Sequence, residues 1–203
     1  QAFLIEANGL IKSAQQYIVT ESLAGNVNFV ETGDAICVSV NDLVDKGHSS
    51  LDKNKYEDYL EIQKLWINKE ILRYNNVKNF MCSIMDFGAE EIEFYTLNYP
   101  KTIGQSWEIE NALKKELEQI RKCLPTRILF LDASNEVLLE HKESDNTRSR
   151  NFFEHHLKYL LPLKRKWFIG KENVDVLNVD NLNIDEVGKK VKEWVDFCIE
   201  HYK

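Results

Sequence analysis

The chain has 203 residues, of which 43% are hydrophobic and 29% charged, an ordinary balance for a folded globular protein. Its net charge of -7 at pH 7 argues against a general nucleic-acid binder, whose phosphate contacts need an excess of lysine and arginine. No apolar run approaches the ~18 residues of a membrane span, and no basic region precedes the first residues as in a signal peptide. We therefore expect a cytoplasmic protein that has neither a nucleic-acid polymer nor a membrane among its partners.

The length fits one domain, because a single core grows to about 200–250 residues before a chain divides. The four cysteines, Cys37, Cys82, Cys123 and Cys198, contain no closely spaced pair, which argues against a zinc site. Three of them lie in apolar runs, where a reduced cysteine behaves as a small hydrophobic residue. The cysteine pattern therefore agrees with a reduced, cytoplasmic location.

Five short apolar runs have the length of β-strands, and several of them end on an acidic residue. Most are nearly continuous in hydrophobicity, which is typical of parallel strands buried on both faces. In chain order the predicted strands are AFLIEA at 2–7, NVNFVE at 26–31, KNFMCSIMD at 78–86, TRILFLDA at 126–133 and VDVLNVD at 174–180.

Helical patterns lie between these runs. The segment 51–74 is the longest, and its inward positions recur at helical spacing. Those positions are Tyr56, Tyr59, Leu60, Gln63, Ile67 and Ile71. The other predicted helices cover 12–24, 106–124 with Ser106 as N-cap, 134–144 with Ser134 or Asn135 as cap, 150–168 with a kink or restart at Pro162, and 183–202.

Strands that alternate with helices predict repeated βαβ units with right-handed connections. We therefore expect an α/β fold, a three-layer sandwich in which helices flank a five-stranded parallel sheet. Ligands bind at the carboxyl ends of the strands in such sheets. The segments expected to carry function are thus 7–13, 31–34, 86–91 and 132–135.

The run EANGLIKS at residues 6–13 has the layout of a phosphate-binding loop. In an intact loop, GxxxxGK[ST], backbone N–H groups turn toward the phosphates, the lysine reaches the β- and γ-phosphates, and the hydroxyl binds magnesium. Lys12 and Ser13 match the end of this motif, and Asn8 and Gly9 lie inside it. These four residues are the predicted nucleotide-binding set.

Two positions of the same loop depart from the motif. Ile11 stands where the glycine before the lysine belongs, and Ala7 stands at the first glycine. A left-handed backbone costs a residue with a Cβ about 1–2 kcal/mol. Two alternatives therefore stay open: either Lys12 still holds a phosphate, or Gly9 only makes a turn and Lys12 is a solvated residue of the first helical turn.

Taken together, the strand ends resemble the deoxynucleoside kinase and thymidylate kinase group of P-loop kinases. FLIEANGLIKS resembles the first strand and its loop. FVETGD resembles the second strand with its Glu-Pro motif, with Glu31 kept and Thr32 in place of the proline. IMDFGAEEIEFYTL resembles the third strand with its Asp-Arg motif, with Asp86 and Gly88 kept and Phe87 in place of the arginine.

The fourth matching segment is RILFLDASNEVLLEHKESDNTRSRNFF, which resembles the fourth strand, the helix that follows it and the arginine-bearing lid of these kinases. The four segments span almost the whole chain. The resemblance implies a single P-loop kinase-like domain over 1–203 with a lid at about 141–152. It also implies ATP and Mg²⁺ as cofactors and a small acceptor, a nucleoside or a nucleotide.

The resemblance also implies roles for single residues. Glu31 would accept the proton of the substrate hydroxyl, and Asp86 would lie near magnesium and substrate, with Ser13 as the second metal-binding residue. Arg148 and Arg150 would clamp the transferring phosphates together with Lys12, because a planar guanidinium donates two hydrogen bonds to one phosphate. Alternatively, the two arginines belong to an ordinary exposed basic loop, and Glu31 only ends a strand.

Gln63 and Trp66 lie on the helix that faces the acceptor base in these kinases, so the resemblance implies that they bind substrate. Aromatic residues at this spacing are more often part of a core. We assign no metal to His155 and His156, because adjacent helical residues point in different directions. The helix over 51–74 could also pair two copies of the chain as a homodimer, although packing on the sheet equally explains its apolar stripe.

The stretch RSRNFFEHHLKYLLPLKRKWF at 148–168 is basic within an acidic chain, which suits a small phosphorylated ligand. Three functions remain open at this point. The first is an ATP-dependent nucleoside or nucleotide kinase, the second is an impaired pseudokinase that binds a ligand or regulates, and the third is a small-metabolite kinase. The first is the leading interpretation, and the altered loop and Phe87 support the second.

Overall fold

The computed structural model describes residues 2–7, 37–38, 51–79, 82–144 and 153–202. Within these ranges, parallel strands form one sheet in the order β2-β3-β1-β4-β5. The strands are β1 Ala2–Ala7, β2 Cys37–Val38, β3 Ser83–Asp86, β4 Arg127–Asp132 and β5 Val174–Asn178. The predicted α/β class with a parallel sheet is therefore confirmed. The strand predicted at 26–31 and the helix predicted at 12–24 lie outside the described residues.

Helices connect these strands and close the described part of the chain. They are α1 Tyr56–Val77, α2 Ala89–Thr102, α3 Ile109–Ala112, α4 Lys114–Ile120, a 3₁₀ turn Arg121–Cys123, α5 Asn135–Ser144, α6 Phe153–His155, a π-helical segment His156–Leu160, α7 Leu161–Phe168 and α8 Ile184–His201. The segments α6, π and α7 follow one another without a break, and we refer to them together as helix 153–168. None of the described helices combines the length and apolar character that crossing a bilayer requires.

The register places β1 between the two strands that carry acidic ends. Ile5 pairs with Asp86 at the end of β3, and Ala7 pairs with Leu131, one residue before the end of β4. Because parallel strands point the same way, the carboxyl ends of β1, β3, β4 and β5 meet at one edge of the sheet. We call this edge the carboxyl edge.

Each face of the sheet carries its own hydrophobic core, because side chains alternate along a strand. Along β4, Leu129 and Leu131 belong to the core that α8 covers, which we call the first core. Ile128 and Phe130 belong to the core that α1, α2, α4 and α7 cover, which we call the second core. Helices therefore pack on both faces within the described part of the chain.

The long helix predicted over 51–74 is confirmed as α1, Tyr56–Val77. Its inward positions follow the predicted spacing, and Tyr59, Gln63 and Ile67 are buried. The cap predicted at Ser134 and the restart predicted at Pro162 are also confirmed. The backbone N–H of Val137 donates to Ser134 Oγ at 3.3 Å at the start of α5, and α7 restarts the α-helix at Leu161, just before Pro162.

The region after β3 departs from the sequence analysis. The sequence does not predict α2, and the single helix predicted over 106–124 is divided into α3, α4 and a 3₁₀ turn. Ser106 is not an N-cap, because α3 begins at Ile109 after Glu108 and has no side-chain cap. The break falls at Leu113, whose φ of -111° and ψ of 24° leave the helical region while its side chain is fully buried. Ile109, which begins α3, and Leu113, which follows it, are both buried in the second core.

Candidate functional site

Most of the predicted site residues lie outside the described ranges, so their roles stay predictions. They are Asn8, Gly9, Lys12, Ser13, Glu31, Arg148 and Arg150. The structure does place Asp86 at the end of β3, beside Ile5 of β1. This position is at the carboxyl edge, where the sequence analysis expects a ligand.

The end of β4 carries a hydrogen-bonded acidic group. The Asp132 carboxylate accepts a hydrogen bond from Nε of Arg165 at 2.9 Å and another from the backbone N–H of Ala133 at 3.1 Å. The backbone N–H of Ser134 donates to Asp180 at 2.6 Å, and this bond holds the pKa of Asp180 below its usual value. Both carboxylates are thus engaged in fixing the loop between β4 and α5.

The turn after β3 has an unusual backbone. Phe87 has a φ of 59°, in the left-handed region that favours glycine. The guanidinium of Arg73, on α1, donates to the Phe87 carbonyl and lies 2.7 Å from the Glu70 carboxylate, and both of these side chains are buried. The Phe87 ring stacks on Tyr95 with 6.3 Å between centroids. The position where the resemblance places an arginine therefore contributes an apolar ring to the second core.

Helix α2 carries three buried glutamates, and each pairs with a cation from a different part of the chain. The pairs are Glu90–Lys171, Glu91–Lys164 at 2.5 Å and Glu93–Arg121 at 2.6 Å. Burial raises the pKa of Glu93, and the hydrogen bond from Arg121 opposes that shift. Because each carboxylate is paired, α2 can be buried on nearly every side without leaving a free charge inside.

Two consecutive cations tie helix 153–168 to α2 and to the end of β4. Lys164 pairs with Glu91, five residues beyond the end of β3, and Arg165 pairs with Asp132 at the end of β4. From the sequence, the basic run around these residues predicts a small phosphorylated ligand. In the structure, Lys164 and Arg165 neutralise carboxylates of the chain itself. The acidic residues at and after the strand ends are the sequence feature that could have indicated these pairs.

The adjacent histidines contact different residues of α2. Nε2 of His155 lies 2.8 Å from the Thr102 hydroxyl, and Nδ1 of His156 lies 3.2 Å from the Tyr95 hydroxyl. Burial lowers the pKa of His156 to about 4, and the Lys164 ammonium adds to this shift while a nearby carboxylate opposes it. His156 is therefore neutral at pH 7. Across the described ranges, no group of three or more histidine, cysteine, aspartate and glutamate side chains could hold a metal.

The two residues predicted to bind substrate both lie on α1 and contact the protein itself. Gln63 is buried and its amide lies 2.8 Å from the Thr96 hydroxyl, while Trp66 packs against the second core. One turn earlier, the hydroxyl of Tyr59 donates to backbone carbonyls of α2. The core alternative is thus correct for Tyr59, and the substrate-binding roles of Gln63 and Trp66 stay predictions.

Within the described residues, β1 lies between β3 and β4 in a parallel sheet that has helices on both faces. Among solved structures, the chain is similar to the thymidylate kinase from Candida albicans, a kinase of broad substrate specificity. The two share 14% sequence identity and superpose with a TM-score of 0.64 over 97% of this chain and 91% of that kinase. At this identity the likeness shows the fold. No protein-family model and no curated protein matches the sequence.

Proposed function

We propose that the protein is a P-loop kinase that transfers the γ-phosphate of ATP to a small nucleoside or nucleotide acceptor. The observation that carries this proposal is the thymidylate-kinase-like fold over nearly the whole chain, with β1 at the centre of the carboxyl edge. The predicted phosphate loop begins where β1 ends, at Ala7, and Asp86 ends the neighbouring strand. The proposal therefore places nucleotide and acceptor side by side at this edge.

Each predicted site residue has a role in this proposal. Lys12 binds the β- and γ-phosphates, and Glu31 accepts the proton of the acceptor hydroxyl. Arg148 and Arg150 stabilise the charge of the transferring phosphate. They lie within five residues of Phe153, where helix 153–168 begins, and that helix is tied to α2 and to the end of β4.

ATP supplies the phosphoryl group and Mg²⁺ neutralises its charge when both are bound. Mg²⁺ usually keeps several waters and takes one or two protein carboxylates in addition to phosphate oxygens. The single acidic residue that ends β3, Asp86, fits this demand together with the hydroxyl of Ser13. In the same proposal Asn8 and Gly9 contact the phosphates through their backbone, and Gln63 and Trp66 bind the acceptor.

We extend the proposal to the architecture and setting of the whole chain. Residues 1–203 form one three-layer domain around a five-stranded sheet, with a lid at about 141–152. The described cysteines Cys82, Cys123 and Cys198 are free and buried, which supports a cytoplasmic location. A homodimer through α1 remains part of the proposal, and Leu65 and Leu72 are exposed on that helix.

A pseudokinase is the second candidate, and two observations favour it. Phe87 contributes a ring to the core and has no charge or hydrogen-bond donor to offer a phosphate, and Gln63 is already engaged with Thr96. In this case the fold would bind a ligand without turnover.

Thermal melting with and without Mg-ATP tests the proposal first. A ligand at about 100 times its dissociation constant adds roughly 2.7 kcal/mol, which corresponds to a Tm increase of about 5–10 °C for a domain of this size. Release of ADP is then measured with thymidylate, with deoxynucleosides and with small hydroxylated metabolites. We expect a Tm increase and ADP release with one of the first two acceptors.

A matched pair of variants gives the control. Lys12→Met should remove the Tm increase, whereas Lys192→Met, which breaks an exposed ion pair on α8, should keep it. A Tm increase without ADP release would support the pseudokinase instead of the active kinase. No Tm increase with Mg-ATP, or the same increase in Lys12→Met, would contradict the proposed nucleotide site.

A further inference from the structure

The left-handed backbone conformation of Phe87 is unfavourable and needs stabilising contacts from the surrounding structure. For a residue with a Cβ, a left-handed φ costs about 1–2 kcal/mol, and for a bulky side chain such a φ is a marked outlier. Such conformations persist where the surrounding structure over-determines them, and they cluster at functional sites. Phe87 stands at the carboxyl edge, immediately after the last β3 residue that pairs with β1.

The group that holds this turn comes from α1. Nη2 of Arg73 donates to the Phe87 carbonyl and also lies 2.7 Å from a Glu70 carboxylate oxygen. The contact with Phe87 is a hydrogen bond, and the contact with Glu70 is an ion pair. The Arg73 and Glu70 side chains are only 4% and 1% exposed, so water does not compete for these two contacts. The turn is thus bonded to a buried ion pair on a different element.

The conformation at Phe87 determines how the chain enters α2. Gly88 follows in an extended conformation as the N-cap, and the backbone N–H of Ile92 donates to the Gly88 carbonyl at 3.0 Å to begin the helix. The same first turn carries Glu91, the partner of Lys164. If Phe87 relaxed to a negative φ, the start of α2 and the end of β3 would both shift.

We propose that Arg73 is a positioning residue: its guanidinium holds the left-handed turn at Phe87 and thereby fixes Asp86 and the start of α2 at the carboxyl edge. The consequence for acceptor binding rests on the proposed function. The consequence for the backbone does not, because it concerns only the turn and the first hydrogen bond of α2.

The test first removes the Arg73 guanidinium and then replaces Phe87 with a residue that adopts positive φ without help. The variant E70Q/R73M lacks both charges, so it leaves no buried carboxylate without a cation. Adding Phe87→Gly supplies a residue that adopts positive φ freely, whereas adding Phe87→Ala deletes the ring but keeps the Cβ that makes this φ unfavourable. The two additions therefore separate the backbone effect from the loss of ring packing.

Amide hydrogen exchange gives a readout that needs no ligand. We expect exchange at the Ile92 amide to accelerate at least tenfold in E70Q/R73M and in its Phe87→Ala derivative, and to return to within about threefold of wild type in the Phe87→Gly derivative. The Ile128 amide, which donates to the Asn173 carbonyl at the opposite end of β4, is the internal control and should change less than threefold throughout.

Thymidylate affinity, measured by calorimetry, should follow the same pattern. The dissociation constant should rise at least tenfold without Arg73 and recover only with Phe87→Gly. If wild type does not bind thymidylate, the proposed acceptor fails and the exchange pattern alone decides the inference.

Unchanged exchange at Ile92, or equal rescue by Phe87→Ala and Phe87→Gly, would overturn the positioning role. If E70Q/R73M does not fold, a cooperative unfolding transition restored by Phe87→Gly supports the proposal, and its absence overturns it.

Discussion

His156 is an internal titratable group at the contact between helix 153–168 and α2. Its neutral ring lies next to the Tyr95 hydroxyl, and its pKa of about 4 means that the folded protein resists protonating it. An unfolded histidine titrates near 6.5. Because the unfolded state binds more protons between these two values, stability falls as the pH decreases from about 6.5 toward 4.

We expect His156→Gln to remove this acid sensitivity. Between pH 7.5 and pH 5.0 the linkage relation assigns His156 a loss of about 2 kcal/mol in the free energy of unfolding. Urea unfolding at the two pH values should show that this part of the loss is absent from His156→Gln. The exposed His201 serves as control, since His201→Gln should keep the wild-type loss.

The Glu91–Lys164 pair joins α2 to helix 153–168 inside the protein, with side chains only 5% and 1% exposed. Breaking a buried pair on one side typically costs 3–5 kcal/mol, because it leaves an unpaired charge inside. We expect a loss of about that size for Lys164→Met in urea unfolding. Replacing both partners, as in Glu91→Leu with Lys164→Met, should recover most of it.

The Lys192–Asp196 pair on α8 is the matched comparison, because it has a similar distance of 2.6 Å but both side chains are more than 40% exposed. Exposed pairs four residues apart on a helix contribute about 0.3–0.5 kcal/mol. A loss from Lys192→Met as large as that from Lys164→Met would show that burial is not the cause.

At the scale of elements, helix caps differ between α8 and α1. Asn183 forms a capping box with Glu186, in which each side chain accepts from the other's backbone N–H. At α1, Lys55 occupies the N-cap position with extended φ and ψ but makes no side-chain cap bond.

We therefore expect opposite effects from two substitutions. Asn183→Ala should lower the free energy of unfolding by about 1 kcal/mol, and Lys55→Ser should raise it by about 0.5–1 kcal/mol, because serine can accept from an unpaired N–H of the first turn. Urea unfolding measures both. Stabilisation by Asn183→Ala, or a loss with Lys55→Ser, would contradict this account of the two helix starts.

The elements with a regular pattern were predictable from the sequence. The apolar run AFLIEA coincides with β1. The apolar positions from Tyr56 to Ile71 recur at helical spacing and predict α1. Helix α2 has no such period, since Glu90, Glu91 and Glu93 are buried beside Ile92 and Phe94. Its burial depends on cations that lie elsewhere in the chain, so no local pattern reveals it.

The same distinction applies to the candidate site. The position of Asp86 at a strand end was predictable, because the apolar run before it reads as a strand. The link from Arg73 to Phe87 was not predictable, since it joins a helix to a turn through a single side chain and an unusual φ. The roles of Lys12, Glu31 and the lid arginines rest on resemblance and stay predictions.

At the scale of the whole molecule, the two cores share strands β3 and β4. Ile84 and Leu129 face the first core, while Met85 and Ile128 face the second. Disrupting either core therefore removes packing from strands that the other core needs, and we expect the described part of the chain to unfold in one cooperative transition.

The four tryptophans allow this to be measured. Trp194 packs against the first core, while Trp66, Trp107 and Trp167 pack against the second. In a variant with the latter three replaced by phenylalanine, Trp194 fluorescence should follow the same urea midpoint as the far-ultraviolet circular dichroism of the helices. Two separated midpoints would show that the cores unfold independently.

The central position of β1 has a consequence for biosynthesis. Ala2 pairs with Ser83, and Phe3 pairs with Arg127. Both strands that flank β1 in the sheet are therefore synthesised long after β1 itself. A ribosome that adds about 5–20 residues per second exposes the strand for several seconds before its second neighbour emerges. Nascent β1 is therefore an exposed apolar segment of the kind that chaperones bind. Slower translation should increase the dependence of folding on chaperones.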